Sequence, residues 1–115
     1  MSTIYLDNAA TTKVREEVVN VISSIIKKEY GNPSSTHSYG RSSKSLIESA
    51  RKEIADILNV KSSEIIFTSG GTEGDNMIIR NCVNNLGVSH IITTKIEHHA
   101  VTHTIDDLIR SNLSL

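Results

Sequence analysis

A second cysteine is lacking: Cys82 is alone in the 115 residues and has no partner for an internal disulfide. That excludes a disulfide-stapled scaffold, and we expect a reducing, cytoplasmic setting. No long apolar run occurs, which excludes a membrane-spanning helix. Neither sign of charge dominates, with 12 Lys and Arg against 13 Asp and Glu. There is therefore no basic field to attract nucleic acid and no acidic tail. Tryptophan is absent, and neither an internal repeat nor a low-complexity tract is visible. The motif-bearing stretch starts almost at once, at Ile4-Tyr5-Leu6-Asp7-Asn8, from which we expect no signal or transit peptide. The length supports one domain at most.

What is present is periodic. Residues 14–28 carry Val14, Val18, Val21, Ile22, Ile25 and Ile26 as a helical stripe. Glu16 and Glu17 come early and Lys27 and Lys28 late, in the sense that the helix dipole favours, and Gly31 and Pro33 stop the helix. Residues 31–40, rich in Gly, Asn, Pro and Ser, read as an ordered loop. A second helix is expected over roughly 41–58, with Leu46, Ile47, Ala50, Ile54, Ile57 and Leu58 inward. The rhythm then changes: residues 64–68, with Ile65-Ile66-Phe67, read as a buried strand. Gly70-Gly71 turn the chain into a helix over 72–86, which Gly87 ends. A strand over 90–94 and a helix over 100–113, with Val101, Ile105, Leu108 and Ile109 inward, complete the pattern. Strand, helix, strand, helix implies an α/β layer of parallel strands with right-handed crossover helices. Two strands make a poor parallel sheet, since such sheets are buried on both faces. We therefore expect residues 1–115 to form a single incomplete domain.

The most informative stretch is Thr68-Ser69-Gly70-Gly71-Thr72-Glu73-Gly74-Asp75-Asn76. A strand ends, two glycines allow a tight turn, and a helix begins at or near Thr72. Unpaired N–H groups in a first helical turn, aided by the dipole, form an anion pocket. Glycine at 70 and 71 removes the Cβ atoms that would hold a phosphate away, and Thr72 adds a hydroxyl. The plainer alternative is a capped helix start, because Thr72 and Asp75 have capping-box spacing. Both readings fit the residues. A P-loop is excluded because no Gly-Lys-Ser/Thr opens the helix, and the dinucleotide fingerprint because its third glycine is not at the required spacing.

Four segments taken together go further. They are Tyr5-Leu6-Asp7-Asn8-Ala9-Ala10-Thr11-Thr12, then Tyr30-Gly31-Asn32-Pro33-Ser34-Ser35 with His37 and Gly40, then Ile66 through Asn76, and Glu97-His98-His99-Ala100-Val101. In order and spacing they resemble the class V branch of pyridoxal-phosphate enzymes, and within it the cysteine desulfurases that supply sulfur for iron–sulfur clusters and nitrogenase. The resemblance implies the N-terminal part of a fold-type-I transferase. Residues 1–40 would be an arm, helix and active-site loop, and residues 41–115 the start of the cofactor-binding large domain. It implies a homodimer that converts L-cysteine to L-alanine, leaving a persulfide for a sulfur-acceptor scaffold protein. It implies pyridoxal 5'-phosphate as cofactor, with its phosphate on Gly71 and Thr72. His98 would stack on the pyridine ring and shuttle protons, and Asn8 and His37 would approach the substrate. An imidazole suits the stacking role, offering a planar ring and a group that titrates near neutral pH.

The same resemblance requires a lysine holding the cofactor, an aspartate facing the pyridine nitrogen and a nucleophilic cysteine, all later than Leu115. Lys95 reads as a solvated loop residue. Cys82, among Met77, Ile79 and Val83, reads as a small buried thiol and not a reactive one. Within the class, a selenocysteine lyase or a sulfur donor for tRNA thiolation is the alternative. Outside it stand a non-catalytic partner module and a metal site at His99 and His103, spaced i,i+4 but without a third ligand; we expect no metal. The resemblance predicts that the 115-residue chain on its own releases no sulfide from L-cysteine. A sulfide assay on the purified chain checks this, and turnover above a buffer blank contradicts it.

Overall fold

The computed structural model describes residues 3–111, which divide into two compact units, one running to Ile65 and the other starting at Ile66. The first contains α1 (Glu16–Lys28), α2 (Ser38–Leu58) and a 3₁₀ turn (Ser62–Glu64); the second contains α3 (Gly71–Asn84) and α4 (His99–Ser111).

In the first unit, α1 has its acidic residues in the first turn and Lys27 and Lys28 in the last. Its apolar stripe buries nothing: Val18, Val21, Ile22, Ile25 and Ile26 are all exposed. The loop after it is tightly built. Asn32 accepts from the Ser34 N–H through its side chain and from the Ser35 N–H through its carbonyl, both at 2.9 Å. The rings of Tyr30 and Tyr39 stack 5.3 Å apart. This folding begins α2 at Ser38, inside the stretch expected as loop, because the His37 ring nitrogen accepts the Gly40 N–H and caps the helix. Asn59, in the left-handed region at φ 54°, ends α2. The Val60 N–H returns to Ala55 O at 3.0 Å and the Asn59 N–H to Asp56 O at 3.3 Å, a Schellman arrangement. Ala55, Gly40 and Ser43 are the buried residues of α2. Leu46, Ile47, Ile54, Ile57 and Leu58, expected inward, are exposed.

In the second unit α4 packs on α3, and Ala100, Thr104, Ile105 and Leu108 are buried there. Leu108 is only 1% exposed, and burying a leucine stabilises by about 1.5–3 kcal/mol. Arg80 and Asp107 pair across the two helices at 2.8 Å, an exposed contact worth about 0–1 kcal/mol. Val101 is half-buried and Ile109 exposed; of the helix expected over 100–113, residues 112 and 113 lie outside the described residues. Cys82 is half-buried on α3, where a buried thiol was expected.

The two stretches read as strands carry no ladder among the described residues. Glu64 belongs to the 3₁₀ turn, where its carboxylate accepts the Lys61 N–H at 2.8 Å, and residues 65–68 and 90–94 have no regular structure. A strand exists only through hydrogen bonds to a neighbour, so β-branched residues cannot make one alone. No helix among the described residues is long and apolar enough to cross a membrane.

Glycine is required at two positions of the loop. A Cβ on Gly40 would lie 2.3 Å from Ser35 O and 2.6 Å from Asn32 O, and one on Gly31 would lie 2.4 Å from Tyr39 C and O. These contacts are to backbone, which cannot step aside. Gly74 differs: its added Cβ meets only Thr68 Oγ1 at 3.9 Å, inside α3. Gly40→Ala and Gly31→Ala are expected to lower stability by about 1–3 kcal/mol or more. Gly74→Ala is expected to raise it by roughly 1 kcal/mol through helix propensity. Denaturant unfolding of the three variants checks the opposite signs.

Candidate functional site

At the start of α3, Gly70 is the cap residue and has no side chain to satisfy the first turn. The first backbone bond closing the helix runs from the Gly74 N–H to Gly70 O at 3.1 Å. The N–H groups of Gly71, Thr72 and Glu73 precede that bond and have no carbonyl a turn behind them, as at any helix start. The Glu73 carboxylate does not turn inward to cover them: it reaches back and accepts the Ser69 N–H at 2.5 Å. The capping box that was the alternative reading of Thr72 and Asp75 is not formed, because the helix starts at Gly71 and Glu73 makes the reach-back contact. Around Gly70 and Gly71 there is open space, with no atom within 4 Å of an added Cβ.

The start of α4 lies beside this turn. His98 caps α4 through Nδ1, which accepts the Ala100 N–H at 3.1 Å. Thr72, Asn76 and Arg80 from α3 and His98, His99 and His103 from the α4 side line a cleft of about 260 Å³. Thr72 and His98, far apart in sequence, thus line one cleft. Arg80 and Thr104 were not singled out from the sequence, and Asn76 stood in the quoted motif without a role. The i,i+4 spacing of Thr72, Asn76 and Arg80 on one helix was the available signal; nothing local pointed to Thr104 or Asp107.

The other expected site residues have definite places. Gly71 is the first residue of α3 and does not line the cleft. Asn8 is exposed in a turn where Asp7 O accepts the Ala10 N–H at 3.1 Å and the Thr11 N–H at 3.3 Å. His37 is the cap of α2, its ring edge-on to Tyr39 at 6.3 Å. Asn8 and His37 belong to the first unit, Gly71, Thr72 and His98 to the second. Lys95 is an exposed turn residue. The imidazoles of His99 and His103 stack with centroids 4.8 Å apart, and the described residues contain no group of three or more metal-ligating side chains placed to hold an ion.

Known proteins match over nearly the whole chain. Residues 4–114 match the model of the family described as aminotransferase class-V. A cysteine desulfurase IscS of Dictyoglomus turgidum is 51% identical over 100 residues, covering 85% of this chain and 25% of that protein. Its namesake in Methanosarcina thermophila is 50% identical over 103 residues, covering 88% and 26%. A solved structure described as a NifS-like protein superposes with a TM-score of 0.84 at 37% identity, covering 91% of this chain and 29% of that one. The chain therefore has the fold of the corresponding part of that structure, and spans about a quarter of the length of the curated relatives it matches.

The reach-back contact has a pH signature. The Ser69 backbone N–H, and after it the Ser69 hydroxyl, holds the Glu73 carboxyl below its ordinary value of 4.5. A carboxyl depressed in the folded state contributes stability above its ordinary value and loses it as pH falls through the folded one. The stability difference between the parent and Glu73→Ala is therefore expected to be constant near neutrality and to shrink as pH drops below 4.5. Denaturant midpoints measured against pH check this, and a difference that stays flat into acid contradicts it.

Proposed function

The chain belongs to the aminotransferase class-V family, and from that premise we propose that the whole protein is a pyridoxal-phosphate-dependent cysteine desulfurase. It converts L-cysteine to L-alanine and passes the sulfur, as a persulfide, to an acceptor scaffold protein for iron–sulfur cluster assembly. The observation that carries this reading is the shared cleft: Thr72, from an open helix start, and His98, a planar imidazole, line the same small cavity. About half of the matched positions are identical to those of proteins named as cysteine desulfurases.

The residues present fit the cofactor. A phosphate needs convergent donors and no obstructing side chain; the first-turn N–H groups, the Thr72 hydroxyl and the open space at Gly70 and Gly71 supply both. A flat pyridine ring needs a flat neighbour, and His98 offers one beside Thr72. When bound, pyridoxal phosphate supplies an electron sink for charge developing at the amino-acid α-carbon. This chain's residues would bind and orient it: the Gly71 N–H and Thr72 would hold the phosphate, and His98 would stack on the ring. With Nδ1 accepting the Ala100 N–H, the His98 atom left to hold or move a proton is Nε2. Asn8 and His37 serve near the substrate. The lysine, aspartate and nucleophilic cysteine come from the remaining part of the protein.

That remaining part also explains the exposed apolar surface. In the complete large domain residues 65–68 and 90–94 become parallel strands, paired with later ones, and residues 1–40 form the arm, helix and active-site loop. The stripe of α1 and the outward Leu46, Ile54 and Ile57 are covered there and in a cytoplasmic homodimer.

Two substitutions in the full-length protein test the site. A hydrogen bond to a charged group contributes about 1.5–3 kcal/mol. Thr72→Val is therefore expected to weaken cofactor retention about ten- to a hundredfold. His98→Ala is expected to keep much of that grip and to slow alanine formation by roughly a hundredfold or more. Cofactor absorbance after dialysis and single-turnover alanine formation separate the two. Identical behaviour of both variants, or no change in either, overturns the assignment.

A further inference from the structure

One side chain ties the start of α3 to the start of α4. An asparagine amide carries two N–H donors, and Asn76 spends both on backbone carbonyls: Thr72 O at 2.9 Å and Ala100 O at 3.5 Å. Its Oδ1 accepts from Arg80 Nε at 3.4 Å, and Arg80 in turn pairs with Asp107 on α4 at 2.8 Å. Asn76 is half-buried, and its contacts with Ala100 O and Arg80 Nε are partly shielded from water, while those of Asn76 with Thr72 O and of Arg80 with Asp107 are exposed. Ala100, the residue it grasps on α4, is 5% exposed and also donates its own N–H to His98 Nδ1 at 3.1 Å.

We infer that Asn76 is a positioning residue: by bridging the Thr72 and Ala100 carbonyls it sets the separation and orientation of the Thr72 turn and the His98 ring. This rests on the cofactor reading of the cleft for its consequence in catalysis, but the bridge itself is geometry. Thr72 and Ala100 each stand in the first turn of a helix, where backbone is held by the fewest intrahelical bonds. The Ala100 carbonyl is held within α4 by the Thr104 hydroxyl at 2.7 Å, and Asn76 ties that fixed point across to the Thr72 turn. Its effect reaches the imidazole through Ala100, whose N–H keeps Nδ1 an acceptor and leaves the proton of the neutral ring on Nε2. Aspartate has nearly the same shape as asparagine but no donor, and would face two carbonyl oxygens with a negative charge. The position therefore requires the amide and not merely its volume.

The test uses the full-length protein with Asn76→Ala and Asn76→Asp beside Thr72→Val and His98→Ala. Asn76 variants are expected to lower both cofactor retention and single-turnover rate by about tenfold, where the other two each move mainly one. A second readout needs no cofactor: nitrogen NMR of the selectively labelled His98 ring. It is expected to show one neutral tautomer, protonated at Nε2, in the parent and a mixture of tautomers in Asn76→Ala. Arg80→Met, which removes the donor to Asn76 Oδ1 but leaves the amide, is expected to shift the tautomer in the same direction by less, and serves if the Asn76 variants fold poorly. If the variants lose only unfolding midpoint while the His98 signals, retention and rate stay parental, Asn76 is a brace and the inference is overturned. If Thr72→Val and His98→Ala have no effect while Asn76→Ala still mixes the tautomers, the cofactor reading fails and the clamp stands.

Discussion

A helix cannot satisfy its own first N–H groups, and the second unit is arranged around that constraint at two places at once. At α3 the cap is Gly70, which brings no side chain, and Glu73 turns back to Ser69 and leaves the first-turn donors uncovered. At α4 the imidazole of His98 accepts the Ala100 N–H. One helix start is left able to receive an anion, and the other is closed by the ring that stands next to it. Packing of Ile105 and Leu108 in the second unit then brings the two starts to one cleft.

In the first unit the same accounting has a different solution. The loop ahead of α2 satisfies its backbone internally, through Asn32, and the His37 ring supplies the cap. The arrangement works because Gly31 and Gly40 let backbone approach where any Cβ would collide. His37 and His98, the two histidines to which the resemblance gave a role, thus both cap helices. A ring nitrogen that accepts a backbone N–H has its tautomer and orientation fixed, which is useful for a group that must present its other nitrogen to a ligand.

The apolar surface tells how much of the fold these residues can complete. α1 has a clear amphipathic stripe and buries none of it, and the two β-branched stretches lie without ladders. A sequence pattern records what an element is built to bury, whereas burial needs the partner itself. The matched relatives are about four times as long as the stretch they share with this chain.

The helices were legible in the sequence because their cause is local. Stripe period, acidic and basic ends and stop residues placed α1 through α4 within a few residues, and the glycine pair with Thr72 marked the open helix start. Local signals left two solutions open at this helix start: Thr72 with Asp75 has capping spacing, and the backbone began the helix earlier and used Glu73. The strand readings over 64–68 and 90–94 found no ladder among the described residues, since a strand's hydrogen bonds belong to its neighbours. What only the tertiary structure decided was proximity across the chain: Thr72 beside His98, and Asn76 reaching Ala100, 24 residues away. No local propensity encodes those meetings, because they arise from two separate apolar faces finding each other, and the polar contacts follow once the faces are packed.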